Sequence, residues 1–153
     1  SEKNCMKTLK SRLLILRLTN IIGFENRKKK RPSLVSSIIN GYKKGVIKFD
    51  KNYYLLKDLL PIQHFSEIFF KITRFDLKGI YNVGTGKSIK VSLFINKIFN
   101  NKKINIKIDN KKKINDSHFS VNPNKLFDII GYNISNKMII KEFNLLKKKI
   151  NKI

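Results

Sequence analysis

The chain has 153 residues, 41% of them hydrophobic, enough for one domain with its own core or for a large piece of a bigger one, and too apolar for a disordered polymer. Its formal charge of +24 points toward anionic partners, yet only Arg12, Arg17, Arg27, Arg31 and Arg74 of its 34 basic residues are arginine, the better reader of phosphate and guanine. The single cysteine, Cys5, excludes an internal disulfide and a thiolate metal cluster, and no apolar run approaches the ~20 residues that span a bilayer.

Lys, Ile and Asn abound while alanine and tryptophan are absent, the pattern an AT-rich coding sequence imposes on any protein. The charge is therefore weak evidence for a nucleic-acid-binding function. A reducing cytoplasm fits the lone cysteine, and no leader-type segment is legible. The first residue is Ser1 rather than Met, which points to a preceding portion of chain.

In chain order, "RLLILRLTNIIG" (12 to 23) packs Leu13, Leu14, Ile15, Leu16 and Leu18 into a short run that stops at Thr-Asn and Gly23, apolar on both faces and so suited to a strand buried inside a parallel sheet. A basic loop follows. Pro32 then occupies a first helical turn, and Leu34, Val35, Ile38, Ile39 and Tyr42 continue at helical spacing to Gly45. "GVIKFD" and "YYLLKDLLPI" (53 to 62) read as strands, the second closed by Pro61. From Gln63 to about Arg74, Phe65, Ile68, Phe69 and Ile72 form one helical face.

"GIYNVGTGKSIKV" (79 to 91) reads as a strand through Ile80, Tyr81 and Val83, a glycine turn and then a helix carrying Val91, Phe94, Ile95, Ile98 and Phe99. "INIKID" (104 to 109) alternates as an edge strand with lysines facing water. A short helix follows Pro123 and ends at Gly131, and an amphipathic helix with a lysine-rich end closes the chain. Strands alternating with helices predict an α/β layered fold.

The glycine turn is the obvious place to look for phosphate chemistry. A P-loop requires Gly five residues before Gly86, where Tyr81 stands; a dinucleotide fingerprint requires a third glycine where Ile89 stands. Both spacings fail. Gly84 and Gly86 then either supply positive φ in a tight connection or let backbone approach a ligand, with Asn82 as a candidate to hold the turn. His64 and His118 lack metal-ligand partners at the usual spacing, and no nucleophile elbow or carboxylate pair is present. The Phe and Tyr residues fall mostly on predicted core faces rather than forming a stacking platform.

Four segments, in order, resemble the C-terminal half of extended short-chain dehydrogenases, the NAD-dependent epimerase/dehydratase family acting on nucleotide sugars. "LLILRLTNIIG" is similar to its Arg-x-x-Asn-x-x-Gly strand end, "YYLLKDLLPIQHF" to its Arg-Asp-aromatic-Ile-x-Val-x-Asp segment, "GIYNVGTGKSIKV" to its Tyr-Asn-x-Gly-x-Gly stretch, and "DSHFSVNPNKLFDIIGY" to its closing Asp…Ser-Lys…Leu-Gly-Trp region. The matches extend over roughly residues 1 to 150. The resemblance implies a Rossmann-type α/β fold in which residues 1–25 end a truncated cofactor domain and 26–153 form a small α/β substrate-binding domain whose strands return to the sheet.

The same resemblance implies residue roles. "SEKNCMK" resembles the start of the helix that holds the family's catalytic lysine. Lys3 is then the candidate for that lysine and for cofactor ribose, unless Ser1 is the family's serine, in which case Glu2 stands in the lysine's place. Its partner tyrosine lies upstream of Ser1. Thr19 falls near the nicotinamide, Asn20 and Lys57 against the substrate, and Lys113 and Asp116 near its nucleotide; Gln63 and His64 replace aspartates. The complete enzyme is expected to use NAD or NADP, to bind a nucleotide-diphosphate sugar and to be compatible with a homodimer, whereas this chain alone is expected to bind no cofactor and to be inactive. The rival is a small basic protein that binds nucleic acid nonspecifically.

Overall fold

The apolar run stops at Thr19, and a second short strand follows it directly. In the computed structural model, which describes residues 2–9, 13–24, 32–49, 51–99, 104–108 and 118–152, β1 (Leu14–Leu18) runs parallel to β5 (Gly79–Val83), while β2 (Asn20–Ile22) runs parallel to β4 (Leu56–Pro61). Thr19 is the point of exchange. Its N–H donates to Val83 O at 3.0 Å, and the next residue, Asn20, is already in register with Leu59. Burial on both faces does not hold for β1: among the described residues it has one strand neighbour, and Arg17 and Leu18 are exposed. Helix α1 (Glu2–Leu9) is tied to this strand by Arg17, whose guanidinium meets the Glu2 carboxylate at 2.6 Å.

Helix α2 (Leu34–Lys43) is capped by Ser33, whose hydroxyl accepts from the Ser36 N–H at 3.3 Å, so Pro32 precedes the cap instead of entering the first turn. Val35 and Ile38 are its buried positions. β3 (Ile47–Phe49) pairs in parallel with β7 (Ile106–Ile108), where Lys107 faces water as the alternating pattern requires. Residues Lys51–Tyr54 form a 3-10 turn and not the start of a strand; Tyr53 packs its ring on Phe49, 5.4 Å between centroids.

Pro61 ends β4 and immediately precedes α3 (Ile62–Ile72), where its fixed φ suits a helix start. The inward face of α3 is His64, Ile68 and Ile72, each four residues from the next. Phe69, expected on that face, lies outside the stripe with Phe70, and the two are 51% and 60% exposed; Tyr54, Phe75 and Phe119 are exposed as well, while most of the aromatics are buried or half-buried. Two short strands flank β4, namely β6 (Ser88–Lys90), antiparallel, and β8 (His118–Phe119), parallel. His118 thus belongs to a strand rather than a loop.

Helices α4 (Val91–Phe99), α5 (Asn124–Ile130) and α6 (Asn136–Ile150) occur where the periodicity predicts them. Gly131 closes α5 in the left-handed conformation at φ 57°, and the Lys71 ammonium donates to the carbonyls of Ile130 and Gly131 at 3.4 and 3.3 Å, where orphan acceptors gather. None of the described helices is long and apolar enough to cross a membrane.

Two apolar cores result, and β4 stands between them. Leu59 joins Ile22, Val35, Val91, Phe94 and Phe143 on one side; its neighbour Leu60 joins Ile68, Tyr81, Val83 and Leu126 on the other. Strand alternation sends successive side chains to opposite faces, and each fully buried side chain of this size contributes roughly 2 kcal/mol.

Candidate functional site

The glycine turn is organised by a residue that the reading of the sequence passed over. Asp58, fully buried on β4, aims its carboxylate into the turn after β5. It accepts from the Thr85 N–H at 2.9 Å, the Thr85 hydroxyl at 2.7 Å and the Gly86 N–H at 3.0 Å. Successive backbone N–H groups of this kind form an anion-binding concavity. Here the anion is the chain's own.

Both glycines are explained by that arrangement. A Cβ on Gly84 would lie 2.6 Å from Thr19 Cγ2, 2.6 Å from Val121 Cγ2 and 2.7 Å from Asp58 Oδ2, so only a hydrogen fits. Gly86 donates its N–H to that carboxylate and adopts φ 72°, a left-handed conformation that favours glycine. Asn82 does not hold the turn. Its amide reaches the Asn122 carbonyl at 3.4 Å, because alternation along β5 points it away from Tyr81 and Val83. The signal for Asp58 was legible: it is the one carboxylate inside the apolar run "LLKDLLP".

Strand register gathers two of the candidate residues on one sheet face. Asn20 pairs with Leu59, and Lys57, two residues earlier on β4, pairs with Ile89 on β6 and Phe119 on β8. In-register neighbours share a side, so Asn20, Lys57, Ile89 and Phe119 face the same way, opposite to Asp58. Asn20 is half-buried and its amide lies 3.5 Å from the Asp58 carbonyl; Lys57 is also half-buried. Beside this face is a cavity of about 310 Å³ lined by Leu59, Ile89, Thr85, Ser88 and the lysines Lys87 and Lys97. Lys87 donates to Asn136 Oδ1 at 2.9 Å, joining the glycine turn to the start of α6.

The remaining candidates separate. Lys3 is exposed on α1, and Lys113 and Asp116 lie outside the described residues. Thr19 is 8% exposed, with its hydroxyl buried and without a partner among the described residues and its methyl set against the Gly84 backbone. A sealed threonine and an exposed lysine, with no glycine-rich fingerprint in the sequence, do not fit a dinucleotide site by themselves.

Gln63 and His64, at the positions where the resemblance expects aspartates, belong to a second polar cluster. The Tyr132 hydroxyl donates to Glu67 Oε2 at 2.7 Å and lies 2.8 Å from His64 Nδ1, while the Gln63 amide donates to Glu67 Oε1 at 3.2 Å. The hydrogen bond from Tyr132, helped by Gln63 and His64, holds the Glu67 carboxyl below its ordinary value although burial opposes it. Burial, then the Glu67 hydrogen bond and charge, push the Tyr132 phenol well above its ordinary value.

Signs follow from these directions. A depressed carboxyl stabilises the fold above the unfolded value near 4.5 and loses that contribution as pH falls. A raised phenol gives a contribution that is complete below 10.0 and is lost as pH climbs beyond it. Urea unfolding of wild type and Glu67→Gln across pH 3 to 7 is expected to show a shallower acid loss in the variant. Identical acid limbs would dismiss the cluster as a source of pH dependence.

No family model and no curated protein sequence matches the chain. Solved structures do. A UDP-N-acetylglucosamine 4-epimerase from Methanobrevibacter ruminantium M1, solved with UDP-N-acetylmuramic acid, is 17% identical and superposes with a TM-score of 0.73 over 99% of this chain and 50% of its own. An NAD-dependent NDP-hexosamine 5,6-dehydratase of tunicamycin biosynthesis is 14% identical, with a TM-score of 0.79 over 99% and 51%. A dTDP-glucose 4,6-dehydratase from Bacillus anthracis, solved with NAD, is 13% identical, with a TM-score of 0.69 over 94% and 47%. The chain spans about half the length of these enzymes, and its mixed α/β architecture with small parallel sheets is the extended short-chain dehydrogenase fold over that half.

Proposed function

We propose that this chain is the C-terminal, nucleotide-sugar-binding part of an NAD(P)-dependent sugar-nucleotide epimerase, dehydratase or reductase, inactive without the remaining half. The observation that carries the reading is the placement of Asn20 and Lys57 on one sheet face, beside a cavity that Leu59 and Ile89 of that face line together with Lys87 and Lys97, in a chain whose fold matches half of such enzymes. Residues 1–25 then complete the cofactor-binding unit, and 26–153 form the substrate unit. NAD or NADP would supply hydride chemistry when bound, held by residues of the other half.

Within this chain the work is binding and orientation. Asn20 offers an amide to the substrate, and Lys57 offers a point charge to the diphosphate, without the two-pronged contact an arginine would make. Asp58 keeps the adjoining turn fixed from behind. Calorimetric titration of this chain with UDP and with dTDP is expected to show saturable one-to-one binding of at least one of them. Lys57→Glu is expected to weaken that binding about tenfold or more, since a like charge meets the diphosphate. Unchanged affinity removes Lys57 from the site, and no saturable binding of either nucleotide overturns the reading.

A nucleic-acid function has less behind it. The exposed aromatics Tyr54, Phe69, Phe70, Phe75 and Phe119 are distributed over a 3-10 turn, α3 with the turn after it, and β8, rather than along one strand face.

A further inference from the structure

We propose that the groove between α4 and α6, which shares Lys97, Ile140 and Phe143 with the cavity beside the candidate site, is a docking site for an acidic amphipathic helix. The groove has a volume of about 410 Å³ and is built from two facing helical stripes. Leu93, Asn96 and Lys97 follow i, i+3, i+4 spacing on α4; Ile140, Phe143, Asn144 and Lys147 follow i, i+3, i+4, i+7 on α6. Phe143 forms the floor, 5% exposed and held by an edge-on contact with Phe94 at 5.0 Å. Leu93 and Ile140 rise on either side, 50% and 48% exposed.

Apolar floor and walls with polar ends are what a helix laid in a groove requires. From Ile140 to Lys147 the site runs about 10 Å, two helical turns, and receives apolar side chains at i, i+3 or i+4, and i+7. Among the described residues its cations are Lys97 and Lys147, and none of its lining is a carboxylate. The occupant is therefore acidic at the flanks of its apolar stripe. A second copy of this chain is disfavoured, because two molecules of charge +24 repel. A bilayer is flat, whereas the groove is concave. Nucleic acid would set phosphates against Leu93 and Ile140 without arginine or a stacking ring to receive them.

The probe is a fluorescein-labelled helical peptide of about 14 residues with Leu at i, i+4 and i+7 and Glu on its other faces, followed by anisotropy at physiological salt. Saturable binding is expected, weakened about tenfold by Leu93→Glu with Ile140→Glu. Both sites are half-exposed, so the variant should keep its helical circular dichroism. A peptide of the same composition with scrambled spacing is expected to bind about tenfold more weakly. Equal binding of the scrambled peptide, equal binding by the double variant, or stronger capture of anionic vesicles or single-stranded DNA at this groove overturns the proposal. Should the double variant fail to fold, Lys97→Glu with Lys147→Glu serves in its place and must lose affinity for the same peptide.

Discussion

Replacing Asp58 by alanine is expected to cost about 4 kcal/mol of stability, read as a fall of about 2 M in the urea midpoint. The carboxylate is fully buried and accepts from three donors, two of them backbone N–H groups of the turn. Hydrogen bonds to a charged acceptor are the stronger kind, and buried donors left without one bear a desolvation cost. The effect is large because both costs fall on one substitution. Asp58→Asn keeps one oxygen but turns an NH2 toward donors, so an intermediate loss is expected. A loss below about 1 kcal/mol for Asp58→Ala would mean that water replaces the carboxylate and that the turn does not depend on it.

Gly84→Ala is expected to be nearly as severe, about 3 kcal/mol, for a steric reason. Its new methyl would meet Thr19, Val121 and Asp58 together, each closer than 3 Å, and none of the three is the loose end of a long side chain. Gly86→Ala is the internal comparison. There the nearest atom is Pro123 Cδ at 3.2 Å and the cost is mainly that of φ 72°, about 1 kcal/mol. Chemical denaturation of the two variants side by side checks the order, and a milder Gly84→Ala would refute the close approach.

How much of this was legible beforehand depends on how locally each element is determined. Helices α5 and α6 carry their own information in 3.6-residue periodicity and in Gly131, and their predicted and observed positions agree. β6 and β8, three and two residues long, are strands because β4 supplies their partners, and nothing in "SIK" or "HF" says so. The turn formers Thr-Asn mark the end of β1, but nothing in "NII" says that a second strand begins at once; only the exchange of partner from β5 to β4 defines it. Phe69 was misplaced because one turn of helix separates a core face from its flank, and a phenylalanine suits either.

The candidate site shows the same division. Lys57 and Asn20 are 37 positions apart in sequence, and register alone sets them on one face. Asp58 could have been singled out as a lone carboxylate among leucines, but its partners lie 27 and 28 positions downstream. The two glycines were correctly refused as a phosphate loop on spacing. What they approach is a side chain of the same molecule.

The alternation of Leu59 and Leu60 between two cores bears on how the molecule comes apart. Neither core can lose its packing without moving β4, and moving β4 withdraws Asp58 from the turn and strand pairing from β2, β6 and β8. The two halves of the interior are thereby expected to open as one cooperative unit, with the β4 amides exchanging with solvent only when the whole opens.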